Sequence, residues 1–234
     1  MQKLTVQEKA EQSPEMRDVY RRIRTNIEFI GMENRVICMT SCTANDGKTS
    51  VSFNLARSFA DNGKKVLFID TDMRNSRLDR RLDITKNLCG LSHYLAGKNS
   101  ESEIVYDTNI EHFYIIPAGY FPTNPTELLS REAFSTLIQK MKEVFDYVII
   151  DTSPLGIVVD AAIVAKVADA SILVMTPDVN RRKSAQFVKN QLVSANPNFL
   201  GVIMNRVEID RKHRNYGYSY GYGYGCSYGE EDDE

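Results

Sequence analysis

From Thr40 the chain reads T-S-C-T-A-N-D-G-K-T-S. Gly47, Lys48 and Thr49 have the types and order needed to hold a phosphate chain when they follow a strand and open a helix. Backbone amides of such a loop and of the helix N-terminus point at phosphate oxygens. Gly47 leaves room for close approach, Lys48 supplies a cation for the β- and γ-phosphates, and Thr49 offers a hard oxygen to Mg²⁺. The candidate nucleotide loop is therefore Thr43, Ala44, Asn45, Asp46, Gly47, Lys48, Thr49 and Ser50. The usual pattern places a glycine five residues before the second one, and here that position is Cys42.

Carboxylates supply the other half of this chemistry. Residues 66–70 form an apolar run ending in Asp70, with Asp72 and Arg74 beyond it, and residues 147–151 form another ending in Asp151. A single aspartate after a strand reads first as a turn residue or a helix cap. Three of them near a Gly-Lys-Thr loop read as a metal and proton-transfer set. Asp151 is placed for the metal together with Thr49. Asp70 or Asp72 is the candidate base, the other touching the metal shell, and the residue types leave that division open.

The elements that must position these groups follow from periodicity. Strands are expected at 36–40, 65–69, 113–116, 147–150, 171–175 and 200–204. Helices are expected at 14–28, 48–61, 131–143, 161–168 and 182–195. Continuous Val/Ile/Leu runs alternating with helices predict an α/β fold of the P-loop NTPase type, a mostly parallel sheet with helices on both faces. Ligands of such sheets sit beyond the carboxyl ends of the strands, so Ser41, Asp70 and Asp151 should share one rim.

The composition bounds the alternatives. The chain has 234 residues with 42% hydrophobic and 26% charged, which suits one sizeable globular domain. A net charge of −2 gives no basic field for nucleic acid, and none is expected as a partner. No apolar run is long enough to span a membrane and the start carries no signal-peptide core, so a cytoplasmic location is expected. The 4 cysteines, Cys38, Cys42, Cys89 and Cys226, form no CxxC pair and read as free thiols rather than a zinc site. His93, His112 and His213 show no pairing pattern and read as structural or exposed.

Residues 215–229 read NYGYSYGYGYGCSYG, and the last five read EEDDE. Alternating Gly and Tyr buries nothing by itself and leaves the backbone many conformations. A domain over 1–207 and a flexible tail over 208–234 are therefore expected. Tyr216, Tyr218, Tyr220, Tyr222, Tyr224 and Tyr228 are extended, exposed phenols, either phosphate acceptors or a low-complexity adhesive.

Taken together, the loop 41–49, the Asp70-x-Asp72-x-Arg74 run, Asp151 and the tyrosine cluster resemble the bacterial tyrosine kinases (BY-kinases). Within them the chain is similar to cytoplasmic kinases of the CpsD/CapB type, found beside capsular and exopolysaccharide genes. The likeness extends to Pro122-Thr-Asn-Pro-Thr-Glu-Leu-Leu129 and to Arg21-x-x-Arg24-Thr25-Asn26. It implies that Lys48 and Thr49 are the Walker A pair, that Asp70 and Asp72 are the Walker A′ pair, and that Asp151 is the Walker B aspartate. It assigns Lys48, Asp70 and Asp72 to catalysis and Thr49, Asp70 and Asp151 to the metal. It further implies ATP and Mg²⁺ as cofactors, tail tyrosines phosphorylated by a neighbouring subunit, a homo-oligomer, a membrane activator protein that recruits the kinase to the inner face of the membrane, and a cognate tyrosine phosphatase. Relatives place an adenine contact where Asn205 and Arg206 stand, and a subunit contact where Asp18, Arg21 and Arg24 stand. Asp18 replaces the family's Glu there, keeping the charge and shortening the reach.

Two rivals share these features: a regulatory nucleotide-binding module whose tail merely docks partners, and a ParA/MinD-type ATPase switch of the same fold. That class carries a second lysine early in the loop, where this chain has Thr43, and MinD-like members end in an amphipathic helix rather than tyrosines and acids. Arg74, Arg77, Arg80 and Arg81 form a basic cluster that suits either phosphate, an acidic tail or plain solvent.

Overall fold

A computed structural model describes residues 2–6, 13–78, 88–177, 179 and 182–207. Arg80, Arg81, His213, Cys226 and the six candidate acceptor tyrosines lie outside them.

The centre of the molecule is one eight-stranded sheet. Its strands in chain order are β1 (Gln2–Leu4), β2 (Val36–Ser41), β3 (Val66–Asp70), β4 (Tyr106–Thr108), β5 (Phe113–Ile116), β6 (Tyr147–Asp151), β7 (Ala170–Met175) and β8 (Phe199–Met204). The spatial order is β1-β4-β5-β3-β6-β2-β7-β8. All neighbours pair in parallel except β4 with β5, which is antiparallel. The helices in chain order are α1 (Pro14–Ile30), α2 (Lys48–Ala60), α3 (Leu91–Leu95), α4 (Glu101–Ile104), α5 (Pro125–Leu129), α6 (Glu132–Val144), α7 (Asp160–Val167) and α8 (Arg182–Ala195).

The central strands are buried throughout, which is why their sequences are continuously apolar rather than alternating. Alternation reappears in which core each residue enters. Val36, Cys38, Leu67, Ile69, Val148 and Ile150 pack with α6, α7 and α8 through Phe134, Ile138, Val164 and Leu192. Ile37, Met39, Val66, Phe68 and Ile149 face the other way, onto α1 and α2, against Tyr20, Ile27, Val51, Leu55 and Phe59.

The helix ends carry the expected punctuation. Ser13 caps α1 by accepting the Met16 N–H, with Pro14 in the first turn. Gly47, at φ 84°, turns the chain left-handed just before α2. That turn makes Lys48 the first helical residue, so α2 starts directly at the end of the loop.

Six strands were expected, and each is present within a residue or two of its expected bounds. The sheet nonetheless has two more. β1 and β4 are three residues each, too short to show any periodicity, and β4 reverses the parallel rule at that edge. The short helices α3, α4 and α5 also carry no repeat long enough to read.

Phe53 joins α2 to the sheet through edge contacts with Phe68 at 5.6 Å and Phe113 at 5.1 Å between ring centroids. Phe53→Ala should lower stability by roughly 3–5 kcal/mol through lost transfer energy and a cavity. Urea unfolding should show a lower midpoint at unchanged slope; a midpoint within error of the parent would contradict this packing.

Candidate active site

Beyond the carboxyl ends of β2, β3 and β6 lies a cavity of about 510 Å³. Its floor is the loop from Thr43 to Ser50, and its walls include Asp72, Arg74, Arg77, Ser153, Ile157 and Arg206. The loop is shaped by two left-handed residues, Asn45 at φ 70° and Gly47 at φ 84°. A Cβ on Gly47 would meet Asn205 Nδ2 at 2.1 Å, so this position needs glycine for space as well as for backbone angle.

Side chains brace the loop from beneath. The Asp46 carboxylate turns inward and accepts from the Thr43 N–H at 2.8 Å and the Thr43 hydroxyl at 3.0 Å. The Asp46 carbonyl accepts from Asn205 Nδ2 at 2.8 Å. Asn205 therefore straps the loop to the end of β8 instead of lining the cavity, while its neighbour Arg206 does line it. Cys42, standing where a glycine is usual, is buried, and its carbonyl packs so close to Gly156 that a Cβ there would lie 2.1 Å away. Burial pushes the Cys42 thiol up to about 11 and the Cys38 thiol to about 12, so both are weak nucleophiles.

Lys48 and Asp151 form a buried ion pair at 2.8 Å. The Ser52 hydroxyl, one helical turn beyond Lys48, lies 3.0 Å from the same carboxylate oxygen, Asp151 Oδ1. The second oxygen, Asp151 Oδ2, is buried and has no hydrogen-bond partner among the described residues. An orphaned buried carboxylate oxygen is a costly arrangement unless something binds it. The Thr49 hydroxyl lies 3.4 Å from Lys48 Nζ, which gathers Thr49, Lys48 and Asp151 at one point. This donor set of hard oxygens suits Mg²⁺.

Asp70 and Asp72, two residues apart, occupy different environments. Asp70 is paired in the ladder opposite Asp151 and is fully buried. Both its oxygens are occupied, Oδ1 by the Asp72 N–H at 2.9 Å and Oδ2 by the Ser76 hydroxyl at 2.5 Å. It stands behind the cavity wall rather than on it. Asp72 does reach the cavity. Its Oδ1 accepts from the Ser153 hydroxyl at 2.9 Å and from the Asn75 N–H at 3.1 Å.

Sequence reasoning missed three serines, Ser52, Ser76 and Ser153, each of which orients one of the aspartates. A readable signal existed only for Ser52, which is four residues after Lys48 on one helix face. Of the residues expected at a subunit contact, Asp18 and Arg21 pair with each other at 2.8 Å on the exposed face of α1. Arg24 instead turns inward and donates to the Ser58 carbonyl at 2.7 Å. His93 plays a structural part, its Nδ1 accepting the Gly90 N–H at 3.1 Å.

Comparison with known proteins places this geometry. Residues 34–201 match the family model described as an AAA domain. The chain is 39% identical over 202 residues to Tyrosine-protein kinase CpsD of Streptococcus agalactiae, covering 86% of this chain and 87% of that one. It is 40% identical over 214 residues to Tyrosine-protein kinase CpsD of Streptococcus pneumoniae, covering 91% and 94%. The chain belongs to the bacterial tyrosine-protein kinase family. Its fold is that of the family's solved kinase domains. The kinase domain of the Escherichia coli tyrosine kinase ETK superposes with a TM-score of 0.75 at 33% identity, over 88% of this chain and 80% of that one. The cell division ATPase MinD of Pyrococcus furiosus shares the fold less closely, with a TM-score of 0.65 at 26% identity over 76% and 75%. Among the described residues of this kinase no helix is long and apolar enough to cross a membrane.

Burial, reinforced by the nearby Asp151 charge, pushes the Asp70 carboxyl from its ordinary 3.8 up to about 7, against the opposing pull of Ser76 and Lys48. The folded protein thus holds this proton more tightly than the unfolded chain. Asp70 favours folding most fully at pH below 3.8, and that contribution is lost as pH rises through about 7. In metal-free buffer, the stability of the parent relative to Asp70→Asn should decline across that window and level off above it. Chemical denaturation at a series of pH values measures the difference, and a pH-independent difference would contradict the assignment.

Proposed function

We propose that this chain is an ATP-dependent protein-tyrosine kinase that phosphorylates Tyr216, Tyr218, Tyr220, Tyr222, Tyr224 and Tyr228 in the tail of another copy. The observation that carries the reading is the buried meeting of Lys48, Thr49 and Asp151 beneath a cavity whose wall presents Asp72, in a chain of this family.

The loop amides and Lys48 hold the β- and γ-phosphates, for which Lys48 must leave Asp151. Thr49 and Asp151 would hold Mg²⁺, for which the orphaned Asp151 Oδ2 is the free oxygen. When bound, Mg²⁺ neutralises charge on the phosphate oxygens. Asp72 is the better candidate base, because it lines the cavity and its Oδ2 has no partner among the described residues. Asp70, expected from the sequence as a base or metal ligand, instead fixes the Asp72 backbone and Ser76.

A phenol of ordinary pKa near ~10 is mostly protonated at neutral pH. In the transfer its oxygen bonds to the γ-phosphorus while the bond from that phosphorus to the β–γ bridging oxygen breaks. The phenolic proton passes to Asp72, and ADP leaves. Positioning and charge neutralisation carry most of such a step.

The resemblance supports the wider setting. The kinase acts as a homo-oligomer, for which Asp18 and Arg21 offer an exposed charged face. A membrane protein of the polysaccharide co-polymerase type recruits and activates it, and a tyrosine phosphatase opposes it. Its role lies in capsular or exopolysaccharide synthesis and export.

Purified protein incubated with Mg·ATP should acquire phosphate on tyrosines 216–228, mapped by mass spectrometry. Lys48→Ala should reduce incorporation by at least about 10²-fold, as expected for loss of a charge aimed at the transferring group. Nucleotide binding with no tyrosine phosphate, even with the activator's cytoplasmic segment added, would instead favour an ATPase switch.

A further inference from the structure

Arg74 lies two residues beyond Asp72 and lines the same cavity. Its guanidinium is held on two sides. Nε donates to Asp160 Oδ2 at 2.7 Å, and Nη2 donates to Thr126 Oγ1 at 2.8 Å while lying 3.3 Å from Asp160 Oδ1. The Thr126 hydroxyl donates to Asp160 Oδ1 at 2.6 Å, closing a three-residue ring of hydrogen bonds. Asp160 is 1% exposed and sits in the first turn of α7, where the helix dipole favours a carboxylate. Thr126 sits on α5, inside the Pro-Thr-Asn-Pro-Thr-Glu-Leu-Leu stretch that the nucleotide loop does not itself explain.

An arginine side chain has five N–H donors in a rigid plane. Here Nε and Nη2 are taken, and the two hydrogens of Nη1 have no partner among the described residues. Arg77 and Arg206 also line the cavity, but neither is anchored by a hydrogen bond among the described residues. Arg74 is thus the cation whose plane is fixed before any ligand arrives. A fork–fork contact with a carboxylate fixes orientation as well as charge. Phosphoryl transfer rewards a donor that is already aimed, because charge spreads over the equatorial and leaving oxygens as the bond to the bridging oxygen breaks.

We propose that Arg74 is a cis-acting arginine that contacts the phosphoryl group during transfer, and that Asp160 and Thr126 are positioning residues that hold its guanidinium there. The proposal rests on the phosphoryl-transfer reading of this site and is independent of which hydroxyl accepts. The plainer role for the same contacts is to tie the segment after β3 to α5 and α7. A tie would make Arg74 matter to folding and not to the transition state, and the two roles give different results.

The test compares binding of Mg·ADP alone with Mg·ADP plus aluminium fluoride, which mimics the phosphoryl group in flight. The parent should bind ADP at least about 100-fold more tightly with the fluoride present. Arg74→Lys and Arg74→Gln should lose most of that gain while their affinity for ADP alone stays within about threefold. Asp160→Asn and Thr126→Val should each lose about tenfold of it, and Arg74→Gln with Asp160→Asn should be no worse than Arg74→Gln alone. In tail phosphorylation the same variants should lower kcat with KM for ATP unchanged. If Asp160→Asn does not fold, judged by its thermal melt, Thr126→Val carries the positioning test. An unchanged fluoride gain in the Arg74 variants, additive losses in the double variant, or no gain in the parent would overturn the proposal. An arginine-dependent gain without tyrosine phosphate would uphold it and sink the tyrosine-kinase reading instead.

Discussion

The buried ion pair between Lys48 and Asp151 is the constraint on which the rest of the site depends. Two charges taken out of water lose several kcal/mol of hydration each, and their attraction offsets this only with good geometry and extra hydrogen bonds. Ser52 and the helix start at Gly47 supply part of that geometry. The orphaned Asp151 Oδ2 shows that the pair is incomplete. On the proposed reading, Asp151 would be freed to hold Mg²⁺ and Lys48 to hold the phosphates when a nucleotide arrives with its metal. Such a joint exchange would leave neither charge buried alone and would couple metal to nucleotide binding.

Such a pair can form only if the strand ending in Asp151 lies beside the strand that feeds the loop. The order β3-β6-β2-β7 achieves this by placing β6 between β3 and β2. Asp70 and Asp151 then face each other across one ladder step. The chain leaves β2 toward α2 on one face of the sheet, and the cavity opens at the carboxyl ends where polar residues cluster. The brace from Asn205 to Asp46 brings the last strand into the same design, so the loop is held from the far side as well.

Much of this was legible. The long buried strands announce themselves as apolar runs closed by Asp or Ser, and α2 announces itself by the step from Gly47 to Lys48. The pair Asp70 and Asp72 shows where reading stops. Strand alternation would relate their side chains only if both lay on the strand. Asp72, however, stands beyond the end of β3 in a turn that its own carboxylate caps, so the alternation no longer applies. The ring formed by Arg74, Thr126 and Asp160 joins residues 52 and 86 positions apart, and no local pattern connects them. Ser76 and Ser153 read as ordinary loop serines until the sheet brings the aspartates to them.

The loop is proposed to move phosphate from ATP to a tail tyrosine of a second chain. The most direct measurement mixes a Lys48→Ala chain with an intact tail and an otherwise unaltered chain ending at residue 207, with Mg·ATP and the activator's cytoplasmic segment. Phosphotyrosine should appear on the Lys48→Ala chain within residues 216–228, dependent on the shortened partner. ATP bound or consumed by the shortened chain with no phosphotyrosine on the other would contradict it.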